Sequence, residues 1–143
     1  MVTIAHLIEG RSGKIHTCES AMEVAAAASL LSEYRIGAMP VLEGGQVAGI
    51  FSERDLLNSI AREGTAALAK TVGEVMTAPA ITITPETDVM EALSLMTRRR
   101  VRHLPVIQGN AMIGFVSIGD LVKHRVELAE AEARALREYI QTA

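Results

Sequence analysis

The sequence predicts a mixed α/β (α+β) fold: two copies of a β-α-β-β-α unit related by a pseudo-twofold axis, then a C-terminal helix. Three observations predict it. Shifting the chain by 65 residues lays residues 15–57 on residues 80–122 without a gap, with thirteen of 43 positions identical. Each copy carries two short apolar runs around a glycine turn, MPVLEGGQVAGIF and LPVIQGNAMIGFV, the pattern of a β-hairpin. Each hairpin lies between stretches of helical periodicity. Two copies are too few for a solenoid, so a facing pair is the economical arrangement.

The elements follow in order. Residues 14–18 and 80–83 read as short extended segments. Ser20 and Glu23 read as an S-x-x-E capping box before VAAAASLLSEY. In the second copy Thr84 reads as the N-cap, with Pro85 at the first helical position. Val24, Ala28 and Leu31, like Val89, Leu93 and Met96, mark the stripe expected to be buried. MPVL and LPVI then form strands. Gly44-Gly45 and Gly109-Asn110 supply the positive φ of a tight turn, and VAGIF and MIGFV complete the hairpins. Ser52-x-x-Asp55 and Ser117-x-x-Asp120 open a second helix. This divides the chain into residues 1–70 (first repeat with an N-terminal segment), 71–123 (second repeat) and 124–143 (amphipathic helix).

Composition bounds the function. The chain has 143 residues, 49 % of them apolar, and a net charge of −3, which fits one domain or two small ones sharing a core and excludes a mainly disordered chain. The longest nearly apolar stretch, residues 24–31, falls well short of the ~20 residues of a membrane-spanning helix. MVTIAHLIEGR lacks the basic lead-in of a secretory signal. A single cysteine, Cys18, forms no internal disulfide and reads as a small buried apolar residue, so a cytoplasmic location is expected. There is no Trp and there are four other aromatics, which leaves no platform for stacking bases, and the acidic balance argues against duplex DNA. Neither nucleic acid nor membrane is an expected partner. One Cys and four scattered His show no metal-ligand spacing. No nucleophile elbow or P-loop is present, so neither catalytic residues nor a catalytic cofactor are expected. His16 and His124 read as solvated or strand residues, and His6 has no evident partner.

Two of the three aspartates, Asp55 and Asp120, occupy one equivalent place, and two readings of it stand. Ser with an acid three residues later caps a helix and places charge favourably at its N-terminus. The same step suits a nucleotide: a helix start attracts phosphate, and a carboxylate accepts both hydroxyls of a ribose.

The repeated arrangement h-P-V-h-x-x-G-x-h-x-G-h-h-[ST]-x-x-D resembles the cystathionine β-synthase (CBS) domain, and a tandem pair resembles a Bateman module. Glu74-Val75-Met76-Thr77 is similar to the E-x-M-T that enters such a repeat. The likeness runs over residues 1–123 and is greatest to stand-alone bacterial pairs and to plant organellar single-pair proteins. It implies binding of AMP, ADP, ATP, NAD(H) or S-adenosylmethionine in two clefts between the repeats. One cleft would use Ser117 and Asp120 with Lys14, Ile15, His16, Ile36, Gly37 and Ala38. The other would use Ser52, Arg54 and Asp55 with Thr77, Ala80, Ile81, Val101, Arg102 and His103. Arg98 and Arg99 read as a solvated helix end, whereas Arg102 and His103, beside the proline strand, suit phosphate.

In the tail, Val122, Val126, Ala129, Ala133, Leu136 and Ile140 step as a heptad seam, with Glu130 and Arg134 paired at i, i+4. It either folds back on its own module or pairs with a second copy, the expectation being a homodimer. The expected function is a non-enzymatic sensor acting through an effector protein. The rival is an interaction scaffold with vestigial clefts, and a third, minor reading is an enzyme acting on its bound nucleotide.

Overall fold

In a computed structural model of the protein, residues 2–9 and 13–142 are described; residues 1, 10–12 and 143 lie outside the description. The element order is α1 (Ile4–Ile8), β1 (Cys18–Glu19), α2 (Val24–Tyr34), β2 (Ala38–Glu43), β3 (Gln46–Ser52), α3 (Glu53–Glu63), a 3-10 turn (Gly64–Ala69), α4 (Val72–Val75), α5 (Val89–Arg99), β4 (His103–Gln108), β5 (Ala111–Ser117) and α6 (Ile118–Thr142). β1 pairs parallel with β2, which pairs antiparallel with β3; β4 pairs antiparallel with β5. Both hairpins close through two residues, Glu43 facing Gln46 and Gln108 facing Ala111. Gly44 (φ 59°), Gly45 (φ 81°) and Gly109 (φ 63°) take the left-handed conformations such turns need; Asn110 does not.

The paired parts of the extended segments are shorter than residues 14–18 and 80–83. Cys18 pairs with Val41, and its counterpart Ile83 makes a single parallel bridge to Val106, 65 residues on at both ends. The residues before each, 14–17 and 80–82, lie outside the strands, and Lys14, Ile15, His16, Ala80 and Ile81 among them line the clefts. In the first copy Glu19 extends the ladder by pairing with Leu42, whereas in the second Ile83 makes the one bridge.

The two repeats build two matching cores. One holds Cys18, Val24, Ala27, Leu31, Met39, Val41, Phe51 and Val72. The other holds Ile83, Val89, Ala92, Met96, Leu104, Val106, Val116, Leu121 and Ile4. Ala27 and Ala92, not Ala28 and Leu93, carry the buried turn of each helix. Cys18 is buried as expected; burial pushes its thiol up to about 11, Glu19 acting in the same direction, so it stays protonated and unreactive.

Val72 and Ile4 reveal an exchange. α4, which precedes the second repeat, packs into the first core, and α1, which precedes the first, packs into the second. The backbone stitches match. Val72 N donates to Met22 O (2.8 Å) and Gly73 N to Ser20 O (2.9 Å); Ile4 N donates to Thr87 O (2.8 Å) and Ala5 N to Pro85 O (2.9 Å). Gly49 and Gly114 let these segments approach the hairpins. A Cβ on Gly49 would lie 2.6 Å from Thr77 O, and one on Gly114 would lie 3.0 Å from Ile8 Cγ2.

The exchange also changes the caps. The N-cap of α2 is Glu23, whose side chain makes no capping bond, and Val24 N donates to Lys70 O at 2.8 Å. Ser20 is not the cap, because the incoming segment's backbone satisfies the helix start. α5 is capped by Asp88, which accepts from Met90 N at 3.1 Å, while Val89 N donates to Val2 O. Thr84 and Pro85 instead form the turn that receives α1. His6 does have a partner: its Nδ1 lies 3.0 Å from Thr3 Oγ1 at the start of α1. His124 is half-buried, and its Nε2 has no hydrogen-bond partner among the described residues.

α6 does not fold back. It is one helix of 25 residues, and residues 129–142 are exposed throughout. Among the described residues no helix is long and apolar enough to cross a membrane.

Candidate functional site: two clefts between the repeats

Each hairpin's second strand ends at a serine, and the next residue starts a helix. Ser52 N (2.9 Å) and Ser52 Oγ (2.9 Å) donate to Asp55 Oδ2, and Asp55 N donates back to Ser52 Oγ at 3.2 Å. Ser117 N donates to Asp120 Oδ2 at 2.8 Å, and Asp120 N to Ser117 Oγ at 3.1 Å. The capping reading therefore holds in both copies. The first helical N–H is taken as well: Glu53 N donates to Gly37 O (3.0 Å) and Ile118 N to Arg102 O (2.8 Å). A phosphate at these helix starts would find the first and third amides already engaged, so side chains must supply most of its donors.

Beyond each cap the surface opens into a cleft. The first, about 830 Å³, is lined by Ser52, Glu53, Arg54, Asp55, Leu57, Ile60, Thr77, Pro79, Ala80, Ile81 and residues 99–103, with Gly37 at its end. The second, about 720 Å³, is lined by Ile8, Gly13, Lys14, Ile15, His16, Ile36, Gly37, Ala38, His103, Ile113, Phe115, Ser117 and Asp120. Both volumes suit a small molecule. The sequence-predicted residues are brought together in the two groups expected: Ser52, Arg54, Asp55, Thr77, Ala80, Ile81, Val101, Arg102 and His103 in the first, and Lys14, Ile15, His16, Ile36, Gly37, Ala38, Ser117 and Asp120 in the second.

The walls differ. In the first cleft four arginines (Arg54, Arg99, Arg100, Arg102) face two carboxylates (Glu53, Asp55). Arg99 thus lines the cleft, whereas it had read as part of a solvated helix end; Arg98 is exposed and is not in the lining. Arg54 Nη1 lies 3.5 Å from Arg100 O, spanning the two repeats. Thr77 Oγ1 donates to Asp55 Oδ1 at 2.8 Å, so both Asp55 oxygens carry a bond. Thr77 is held by a two-way backbone bridge to Ile50, 2.9 Å each way. Among the described residues the second cleft has Lys14, Asp120 and two imidazoles. His16 is half-buried and stacks on Tyr34 at 3.7 Å.

His103 and Gly37 line both clefts. His103 stacks on Phe115 at 5.5 Å. Burial pushes its imidazole below the ordinary 6.5; Asp120 and Glu53 pull the other way, and Arg102 adds to the lowering. A neutral ring near pH 7 follows. Ile8, Leu57, Ile60, Pro79, Ile113 and Phe115 were not singled out from sequence. Apolar wall residues carry no chemical signature until the fold collects them.

Two repeats of this architecture, each ending its hairpin in a Ser-x-x-Asp cap beside a cleft, define a tandem CBS pair. The sequence profile of the CBS domain matches residues 11–62 and 72–127, and the chain belongs to that family. It is 40 % identical over 129 residues to the mitochondrial CBS domain-containing protein CBSX3 of Arabidopsis thaliana, covering 87 % of this chain and 63 % of that one. The chain thus spans less than two thirds of that relative's length. It is similar to a solved structure of a candidate signal-transduction protein with CBS domains from Burkholderia ambifaria, with 36 % identity, a TM-score of 0.82, and coverage of 88 % and 95 % of the two chains. More distant pairs share the fold. CBSX2, solved with AMP, has 24 % identity and a TM-score of 0.74 over 89 % of this chain and 98 % of its own. The pair of MJ0100, solved with 5′-methylthioadenosine and S-adenosyl-L-methionine, has 21 % identity and a TM-score of 0.77 over 88 % and 97 %.

Proposed function

We propose that the protein is a non-enzymatic regulatory module that binds adenosine-containing ligands in the two clefts, Asp55 and Asp120 each accepting a ribose. The observation that carries this is the repetition of one constellation, Ser, Asp and a preceding extended segment, at the mouth of each cleft. CBS pairs of the same fold crystallised with AMP and with S-adenosyl-L-methionine support it. Adenine would lie on backbone and aliphatic side chains: Ala80, Ile81 and Val101 in one cleft, Ile15, Ile36 and Ala38 in the other. Arg54, Arg100 and Arg102 fit the first cleft to a phosphorylated ligand, since guanidinium forks suit phosphate oxygens. The second cleft has one lysine among its described lining residues, which fits a ligand of lower charge. Binding would shift the arrangement of the two repeats only as far as the ligand prefers one state, and an effector protein would read that shift.

One observation favours a second reading. The Asp55 carboxylate is already bonded to Ser52 and Thr77, so the caps are complete without a ligand and the module could serve as a scaffold. Calorimetric titration with AMP, ADP, ATP, NAD(H) and S-adenosylmethionine separates the two. The sensor reading expects saturable heat with at least one of them at micromolar to millimolar concentration. No heat and no thermal shift with any of them would leave the scaffold.

A further inference from the structure

We propose that α6 pairs with α6 of a second copy as a parallel, in-register two-stranded coil. The proposal rests on the homodimer expected from the heptad seam and is independent of the adenylate reading. The seam is free to do this. Leu121, buried, and His124 and Leu128, half-buried, form the stripe by which α6 rests on its own repeat. At 100° per residue the seam Val122, Val126, Ala129, Ala133, Leu136 and Ile140 is centred about 130° around the helix from that stripe. All six seam residues are exposed.

The seam reads as heptad positions a (Val126, Ala133, Ile140) and d (Val122, Ala129, Leu136). A β-branched residue at two a positions and Leu at a d position favour two parallel strands, and the central alanines let the helices approach closely. The flanking charges decide direction. Positions g and e hold Arg125, Glu132, Glu130 and Arg137, with Lys123 at the first e. In a parallel pair each g faces the e five residues later on the other helix. Arg125 then meets Glu130, and Glu132 meets Arg137; every complete pair is attractive, and symmetry doubles them. In an antiparallel pair with the seams fully overlapped, e faces e and g faces g. Glu130 then meets Glu130, Glu132 meets Glu132, and Lys123 meets Arg137, so every charged pair repels. The occupant of this face is therefore a second copy in one orientation. An isolated seam of this length is marginal, but α6 is already nucleated where Leu121 packs into its repeat.

The test uses the full chain. Light scattering should give twice the 15.3 kDa chain mass. Leu136→Cys should form a disulfide-linked dimer under mild oxidation, because equivalent d positions adjoin only in the parallel register; buried Cys18 stays out of the reaction. Should the smaller side chain weaken pairing, charge exchange reads the same geometry. Arg125→Glu should weaken dimerisation roughly tenfold by turning two attractive contacts repulsive, and adding Glu130→Arg should restore it. A chain mass of one copy, cross-linking only in a mixture of Val122→Cys with Ile140→Cys, or a dimer indifferent to Arg125→Glu would overturn the proposal.

Discussion

The two clefts share a skeleton and differ in charge, and the division follows the repeat. Positions that set geometry are the same in both copies: Ser52 and Ser117, Asp55 and Asp120, Gly49 and Gly114, Pro40 and Pro105. Other positions that line the clefts are not. Gly37 stands where the second copy has Arg102, Ala38 where it has His103, and Arg54 where it has Gly119. Each helix start is clamped in the same way, by Gly37 O or Arg102 O, yet only one of those two residues brings a cation. The repeat thus keeps the geometry of each cleft while the side chains that line the two differ. Among the described residues the first cleft gathers four arginines and the second one lysine.

The largest expected effect comes from removing the equivalent carboxylates one at a time. Asp55→Ala and Asp120→Ala should each weaken one binding event by about 1–3 kcal/mol, the scale of charge-assisted hydrogen bonds, and leave the other nearly intact. Calorimetry resolves this if both clefts fill. If melting temperature falls while both affinities stay put, the carboxylates only cap, a role worth ~1 kcal/mol per helix. The glycines sharpen the comparison next. Gly49→Ala drives a methyl to 2.6 Å from the Thr77 carbonyl, whereas Gly114→Ala meets the Ile8 side chain at 3.0 Å. The first should destabilise by about 1–3 kcal/mol and disturb the first cleft through Thr77; the second should cost less, because a side-chain end moves more readily than backbone. Denaturant midpoints rank them, and equal losses would contradict the asymmetry.

Arg102→Ala should lower affinity for ADP about tenfold, near 1.4 kcal/mol, with adenosine affected much less and the second cleft unchanged. A matching loss for adenosine would mean that Arg102 shapes the cleft rather than meeting phosphate. The smallest effect is a pH dependence. His103 titrates below its ordinary 6.5 in the folded chain. As pH falls from 6.5, the unfolded chain takes up a proton that the folded one resists, so the ligand-free protein loses stability through that window. A phosphate nearby favours the protonated ring, so the ligand's stabilising effect should grow over the same range. Melting curves between about pH 7.5 and about pH 5 test both, and His103→Gln should flatten them.

Much of this arrangement was legible in the sequence because one offset carried it. The shift of 65 placed both hairpins, both Ser-x-x-Asp caps and, through the family resemblance, the grouping of residues around each cleft. The exchange of α1 and α4 escaped it. Thr3 and Thr71 start those helices 68 residues apart, not 65, and TIAHLI shares little with TVGEVM beyond its apolar spacing. That one omission explains others. Ser20 and Thr84 looked like caps because the backbone groups that replace them, Lys70 O and Val2 O, arrive from distant chain. Ile8 was unrecognised in the second cleft because its place there depends on α1 crossing to the other repeat.

The most direct test is a crystal structure of the protein grown with an adenine nucleotide. The account predicts ribose hydroxyls within hydrogen-bonding distance of the Asp55 carboxylate, with phosphate turned toward Arg100 and Arg102, and a second adenosine, where one binds, on Asp120. Ordered water alone in both clefts at saturating nucleotide, with the Ser52 and Thr77 bonds to Asp55 unchanged, would contradict it.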